Sequence, residues 1–395
     1  LLQAHGANVL GRWSHRISDE SDFAVQMYYD HLDREPLGSP YHINTGDIDG
    51  QYRFPMGARQ SIICGADFRY WADNLAPGPI ATFVPQVRDS YLVNGFIQDD
   101  LTVVPDRLHL IAGTKLEDNS QSGFEYQPSG RLLWTPNESN SAWLAVSRAV
   151  RTPARWEQDA RISPIPSSSP LVPLPVAPQA RGNPGFDSET LLAYEAGYRV
   201  KPSSTFSVDA AAFLNSYDNL RGFDTGAPSF IPTPVPHLLV PITVANSFYA
   251  ESYGAELSAN WQVNEHWRLA GSYSFLQVQA HQHKAASAAN DDQERMLESS
   301  SPEHQAQLHS YWDITRDLQL NMSLYYVDRL SALNVPSYIR GDVGVTWTPR
   351  KNLVLSLVVQ NVFDNHHPEF QSSGTTLVTS SEVPRTMYGQ VVFRY

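Results

Sequence analysis

Two short groups of histidines offer the residue types that bind metal ions: His281 with His283, and the adjacent pair His366 and His367. Imidazole nitrogens are common ligands of transition metals. In an extended strand His281 and His283 would share one face, whereas His366 and His367 would point to opposite faces. Two ligands on a face are fewer than a protein metal centre uses. We therefore treat all four as candidate ligand-binding residues and predict neither a metal site nor a cofactor.

Two arginines, Arg148 and Arg151, stand where a strand pattern gives way to a long Pro-rich stretch. Guanidinium groups bind anionic ligands through paired hydrogen bonds, so both are candidate ligand contacts. The pattern favours the alternative that both arginines have a structural role at the end of a strand and do not contact a ligand. Long cationic side chains at the end of a membrane strand place their charged heads in water.

The chain offers no pattern typical of catalysis or of nucleic-acid binding. It lacks G-x-S-x-G, H-E-x-x-H, a P-loop and a Gly-rich dinucleotide turn. The formal net charge is -13, the opposite of the basic surface that nucleic acids require. A single cysteine, Cys64, excludes an internal disulfide. We predict a protein that is not an enzyme and does not bind nucleic acid.

The segments that position these residues alternate apolar and polar side chains with a period of two. Between Leu318 and Tyr326, every second residue is apolar or aromatic, and most of the others are polar. This alternation indicates strands with two different faces. No apolar run reaches the ~18 residues of a membrane-spanning helix, and no convincing amphipathic helix appears. The pattern predicts about seventeen strands, at 6–15, 22–31, 45–53, 59–70, 90–103, 107–117, 126–136, 140–149, 190–201, 204–217, 246–262, 266–280, 303–314, 317–329, 338–349, 352–362 and 386–395.

The connections between the strands alternate between short and long. Short turns rich in Pro, Asn and Asp follow every second strand. The long connections are predicted at 31–44, 71–89, 118–125, 150–189, 218–244, 281–300, 330–337 and 363–385. Within them, 163–178 is predicted to be an irregular polyproline-like loop and 281–294 a polar loop.

Several tryptophans lie close to the short turns: Trp134, Trp261, Trp267, Trp312 and Trp347. Indole rings at one height are typical of the aromatic belt at a membrane interface. Together with the alternating connections, they predict an all-β, transmembrane antiparallel β-barrel with short periplasmic turns and long extracellular loops.

The final strand, 386–395, keeps its alternation up to an aromatic terminal residue. Met387, Val391, Phe393 and Tyr395 fall on one face, as expected for the closing strand of an outer-membrane barrel. The strand before it ends in a turn-forming segment, because Asn and Asp side chains cap turns. We assign four residues to structural motifs of the barrel: Asn361, Phe363, Asp364 and Tyr395.

Four segments, in order along the chain, resemble the TonB-dependent outer-membrane receptor family. They are Asn94-Gly-Phe-Ile-Gln-Asp-Asp100 with the following Leu101–Leu108, Ala145-Val-Ser-Arg-Ala-Val-Arg-Thr-Pro153, Tyr194-Glu-Ala-Gly-Tyr-Arg199, and Val359-Gln-Asn-Val-Phe-Asp-Asn365. The resemblance implies a barrel of about 22 strands. It also implies an amino-terminal plug domain that the TonB–ExbB–ExbD complex pulls, and a small-molecule ligand such as a metal chelate.

About seventeen strands are fewer than such a barrel contains. We therefore expect residues 1–395 to form one β-barrel domain of a bacterial outer-membrane receptor, with amino-terminal strands and the plug missing. The resemblance implies TonB-dependent uptake of a scarce ligand. A ferric siderophore or another metal chelate is the leading expectation, before cobalamin or a saccharide. Two alternatives stay open: a passive porin-like channel, and a surface adhesion or receptor barrel without transport.

Overall fold

Seventeen strands pair one after another in chain order. The computed structural model describes residues 3–35, 40–163, 167–169, 172–233, 235–283, 288–371 and 380–394. The strands are β1 (Gln3–Arg16), β2 (Asp22–Glu35), β3 (Tyr41–Met56), β4 (Gln60–Leu75), β5 (Val87–Val104), β6 (Leu108–Asn119), β7 (Gly123–Asn137), β8 (Asn140–Arg151), β9 (Glu189–Ser203), β10 (Phe206–Thr225), β11 (His237–Asn264), β12 (Trp267–Gln282), β13 (His304–Thr315), β14 (Leu318–Val327), β15 (Tyr338–Arg350), β16 (Leu353–Gln360) and β17 (Thr386–Phe393). Each is antiparallel to the next. The predicted all-β class and strand count are confirmed.

Most predicted boundaries lie within a few residues of the observed ones, but two strands are much longer. β11 has 28 residues, about 90 Å if fully extended, and β10 has 20. Crossing a bilayer takes about 9–11 residues, so both strands continue beyond it. The predicted loop at 218–244 was wrong for most of its length. Both ends of this stretch extend the two strands, which pair with each other as far as Thr225 and Ile242.

The connections divide the sheet into two ends, which we call the short-turn end and the long-loop end. At the short-turn end, Gly57 turns the chain between β3 and β4 with φ +69°, a conformation that favours glycine. At the long-loop end, one connection is shorter than predicted: 118–125 is reduced to a turn at 120–122. The Asn119 side-chain oxygen closes that turn by accepting the backbone N–H groups of Gln121 and Ser122, at 3.0 and 2.8 Å.

The long connections contain regular structure that the sequence did not indicate. The prediction of an irregular loop at 163–178 was wrong, because Val172–Arg181 is a strand that pairs in parallel with the start of β11. Proline is compatible with an extended backbone and its carbonyl still accepts hydrogen bonds, so a Pro-rich segment can add to a sheet edge. Two short strands, Ser167–Ser169 and Ala160–Ile162, pair with it.

Two helices were also missed: α1 (Arg155–Asp159) and α2 (Ala288–Ser299). α2 lies where the sequence predicts a polar loop. Its polar side chains dock the helix by bonding to strand backbone. The Asn290 oxygen accepts the Phe223 N–H at 2.9 Å, and a Glu298 carboxylate oxygen accepts the Ala280 N–H at 3.0 Å. A helix held by such contacts shows no amphipathic pattern.

The sheet has two chemically different faces. Leu324 pairs with Leu308, and Leu257 with Tyr273; all four side chains are exposed. We call this apolar side the outer face, since it is the side that meets lipid in a membrane barrel. The inner face bears mainly polar and charged residues, among them the paired Arg268 and Tyr311. No helix of the described ranges is both long and apolar enough to cross a bilayer.

The tryptophans predicted to form a belt lie at the short-turn end of the outer face. Trp134, Trp261, Trp312 and Trp347 are exposed there. Trp267 pairs with Trp312 across β12 and β13, and its indole N–H donates to Ser310 Oγ at 3.0 Å. The predicted position of these tryptophans beside the short turns is confirmed, and their role as an interfacial belt stays a prediction.

The most deeply buried large apolar side chains lie at the long-loop end. Phe186, Val244 and Phe248 are at most 1% exposed. They belong to two segments that we call the cap: the described part of 152–188, and 237–248 at the start of β11. Buried apolar side chains thus distinguish the cap from the barrel wall, where many large apolar side chains are exposed.

Candidate functional site: a charged cluster under the cap

A fully buried carboxylate, Glu157 of α1, is the centre of the cap. One oxygen accepts hydrogen bonds from Arg151 Nη2 and Arg221 Nη1, both at 2.9 Å. The other accepts from Arg151 Nη1 at 3.0 Å and from the Ala154 backbone N–H at 2.8 Å. Four hydrogen bonds, two of them from a forked guanidinium, satisfy the buried charge. They connect α1 to the ends of β8 and β10.

A second set of ion pairs connects α1 to β4 and β5. Arg155 Nε donates to Asp73 at 3.0 Å, and Arg155 also pairs with Asp159. Arg88 Nη1 donates to Asp159 at 2.6 Å and to the Gln158 side-chain oxygen at 3.0 Å. Buried ion pairs of this kind are stable only while both partners remain. They hold the cap against the inner face.

Aromatic rings complete the cluster. The Arg221 guanidinium lies 4.8 Å from the centre of the Trp156 ring, and that of Arg155 lies 5.8 Å from the Phe83 ring. Both distances are within the range of cation–π attraction. The rings cover guanidinium groups whose edges are occupied by carboxylates.

The cluster is balanced in charge. Its ion pairs join four arginines to four carboxylates: Arg88, Arg151, Arg155 and Arg221 with Asp73, Glu157, Asp159 and Glu189. An arrangement that neutralises its own charges fits a lock between loop and wall better than an open anion-binding site. We call it the cap lock.

The electrostatics of Glu157 follow from these contacts. Burial acts to raise its pKa, but the hydrogen bonds from Arg151, the Ala154 amide and Arg221 outweigh burial and hold the pKa below its ordinary value. Glu157 is therefore ionised at neutral pH, and its charge strengthens the lock.

The two candidate arginines of β8 lie on opposite faces. Arg151 shares the inner face with Trp143 and joins the cap lock, where it also pairs with Glu189 at 2.6 Å. Arg148 is on the outer face, with its guanidinium 4.3 Å from the centre of the Tyr126 ring. A spacing of three in a strand produces this separation, so the two cannot form one ligand contact.

His281 and His283 lie on one side of the sheet, as their spacing predicts. Both rings are 5.2 Å from the ring of Tyr249, and His283 Nε2 is 3.1 Å from an Asp218 carboxylate oxygen. The group is at the long-loop end of β10, β11 and β12.

His366 and His367 point in opposite directions. His366 is exposed and lies 2.6 Å from Glu382. His367 is buried and stacked on Tyr338 at 4.3 Å between ring centres. Both of its nitrogens are occupied: Nδ1 accepts from Asn361 at 3.1 Å, and Nε2 donates to Glu369 at 3.1 Å.

Asn361 ends β16 in the left-handed conformation, with φ 56°. Its backbone N–H donates to Asp342 at 3.0 Å. Phe363 packs so closely over Gly341 that a Cβ there would come within 2.5 Å of its ring. Asp364 caps the Asn365 N–H at 2.7 Å. Tyr395 lies outside the described residues.

Comparison with known proteins identifies the family to which this architecture belongs. The family model "TonB dependent receptor-like, beta-barrel" matches residues 4–362. The chain belongs to the TonB-dependent receptor family.

Relatives of the receptor agree with this assignment. An iron-regulated outer membrane virulence protein of Vibrio cholerae serotype O1 is 23% identical over 281 residues, which are 68% of this chain and 40% of that protein. The siderophore receptor PirA of Acinetobacter baumannii superposes with a TM-score of 0.76 at 15% identity, covering 99% of this chain and 62% of PirA. For the ferric enterobactin receptor PfeA of Pseudomonas aeruginosa the TM-score is 0.74 at 15% identity, covering 98% and 62%.

The TonB-dependent receptor chain thus spans 40% of the length of the curated relative and 62% of both solved receptors. It is a protein of the bacterial outer membrane. The short-turn end of the barrel is periplasmic and the long-loop end extracellular, so the cap lies at the extracellular end.

Sequence reasoning identified one member of the cap lock, Arg151, and missed its partners. Glu157 and Arg155 are in a stretch predicted to be loop, and Arg221 follows at a distance of 64 residues from Glu157. The one available signal was local. Three arginines and two carboxylates occur close together at 151–161, where β8 ends.

Proposed function

We propose that this receptor takes up a scarce ligand in a TonB-dependent manner, and that the ligand is a ferric siderophore or another metal chelate. The observation that supports this most is the likeness of the whole described barrel to solved siderophore receptors, at 98–99% coverage of the chain. The iron-regulated relative from Vibrio cholerae supports the same class of ligand.

The proposed path runs along the inner face, which is polar and therefore wettable. The ligand enters at the extracellular end, where the cap covers part of the inner face. The chain performs no covalent chemistry on the ligand in this proposal; it binds and admits it.

The proposed energy source is the TonB–ExbB–ExbD complex, acting through a plug domain as the family resemblance implies. Opening then depends on the inner membrane's proton gradient rather than on diffusion alone. This is what separates the proposal from a passive porin-like channel.

Growth under iron limitation tests the ligand class. A strain with the complete gene deleted is compared with its complemented parent, with ferric enterobactin and a ferric hydroxamate supplied separately as sole iron sources. We expect the deletion to abolish growth on one of the two chelates and to leave growth on inorganic iron unchanged. Equal growth of the two strains on a broad panel of ferric chelates would contradict iron uptake.

Single-channel conductance tests the mode of transport. The full-length protein in a planar bilayer should show little current, because a receptor admits ligand only when it is pulled open. A large and permanently open pore would favour the porin-like alternative instead.

A further inference from the structure

A cluster at the extracellular ends of β13 and β14, separate from the cap lock, offers three metal-ligating side chains. Glu303, His304 and Asp328 each present one ligand atom, and these atoms all lie within 4.8 Å of one another. His304 begins β13, Glu303 precedes it, and Asp328 directly follows β14. The three therefore come from the extracellular ends of two neighbouring strands.

Main-chain hydrogen bonds fix the relative positions of these residues. The Asp328 N–H donates to the His304 carbonyl at 3.0 Å, and the Leu276 N–H donates to the Glu303 carbonyl at 2.9 Å. The backbone of the cluster is thus part of the sheet ladder. His304 pairs with Phe275, which places it on the outer face.

Neighbouring tyrosines orient two of the three side chains. Tyr273 Oη lies 2.7 Å from His304 Nδ1, and Tyr326 Oη lies 3.4 Å from Asp328 Oδ1. Asp328 Oδ1 also accepts the Arg329 N–H at 2.8 Å. Proteins usually orient a metal-binding side chain through a hydrogen bond to the nitrogen or oxygen atom that does not bind the metal.

The remaining ligand atoms are available. Among the residues that the structure describes, no hydrogen-bond partner meets His304 Nε2, Asp328 Oδ2 or the Glu303 carboxylate. Glu303 is exposed, whereas His304 and Asp328 are half-buried. Each of the three neighbouring residues thus has at least one ligand atom without a hydrogen-bond partner in the described ranges.

We propose that Glu303, His304 and Asp328 bind a divalent transition-metal ion of the zinc class. One imidazole and two carboxylates suit this class, whereas Ca²⁺ and Mg²⁺ prefer oxygen ligands alone. Zinc is about 2.0–2.2 Å from its nitrogen and oxygen ligands, so small side-chain rotations close the site and leave a position for water. Because its histidine is on the outer face, the site is separate from the path proposed along the inner face.

Zinc titration of the full-length receptor in detergent tests this proposal, with Zn²⁺ alone as the probe and a competing indicator as the readout. We expect one Zn²⁺ per chain, with affinity at least tenfold weaker in His304→Ala and in Asp328→Asn. Glu303→Gln replaces an exposed, unpartnered side chain and keeps the test valid if the other variants fold poorly. Retention of the heat-dependent gel mobility of a folded barrel verifies folding.

His309→Ala is the matched control, because His309 is on the same strand, is also half-buried, and has one hydroxyl partner, Ser323 Oγ, 2.8 Å from its Nδ1. The zinc affinity of this variant should equal that of the parent protein. Zinc binding that survives in all three cluster variants, or that is lost in His309→Ala, would overturn the assignment. Displacement of Zn²⁺ by equimolar Ca²⁺ would overturn the choice of metal class.

Discussion

The barrel wall and the cap are stabilised in opposite ways. On the wall, large apolar side chains such as Leu257 and Leu324 are exposed on the outer face, and the backbone is satisfied by strand pairing. In the cap, Phe186 and Phe248 are buried, and the fully buried Glu157 is bound by arginines. The wall depends on lipid as its solvent, while the cap depends on packing and ion pairs in water. Changes that damage one region should leave the other intact.

The largest effect is expected for Glu157→Gln. The substitution leaves Arg221 without an anion and Arg151 with Glu189 alone, and loss of one partner of a buried pair costs about 3–5 kcal/mol. Hydrogen exchange of 155–162 should accelerate, while β14 keeps its protection. Asp209→Asn is the control, since it removes an exposed ion pair with Arg199 and should change neither region. Unaltered exchange in the cap would show that the lock does not hold it.

A charge on the outer face should damage the wall instead. Leu324→Arg places a cation against the hydrocarbon, at a cost of about 2–4 kcal/mol near the bilayer midplane. Asn321→Arg, on the inner face of the same strand, should be nearly neutral. Urea titration of folding into vesicles measures both. Equal destabilisation by the two variants would mean that the faces are wrongly assigned.

A smaller effect is expected where the wall itself is closely packed. A Cβ at Gly197 would come within 2.3 Å of the Trp143 indole nitrogen, whereas at Gly46 nothing lies within 4 Å. Gly197→Ala should destabilise the barrel by about 1–3 kcal/mol through overpacking, and Gly46→Ala should not. The midpoint of urea unfolding distinguishes them; a common midpoint would contradict the close contact.

The smallest effect is the acid response of the cap. Because the pKa of Glu157 is lowered in the folded state, its stabilising contribution is complete above the unfolded value, near 4.5. The contribution declines as the pH falls from there through the lowered folded pKa. Protease cleavage within 152–163 should increase over that range, and Glu157→Gln should remove this dependence. Cleavage of the cap that increases as the pH is raised from neutral would contradict this prediction.

The wall could be predicted from the sequence, and the cap could not, for a physical reason. Strand faces follow from a local period of two, so the alternation from Leu318 to Tyr326 predicts β14 closely. The cap depends on contacts distant in sequence, such as Glu157 with Arg221, which no local pattern shows. The same limit explains why Arg151 was found without its partners. α2 was missed because backbone hydrogen bonds, and not an apolar stripe, hold it.

Accumulation of radiolabelled iron from ferric enterobactin tests the central claim most directly. Cells that express the complete gene are compared with and without functional TonB. The account predicts saturable accumulation of iron that requires both the receptor and TonB. If cells with the receptor accumulate no iron from ferric enterobactin, the measurement is repeated with another class of ferric chelate. Influx that is unchanged without TonB and rises in proportion to external concentration would contradict it.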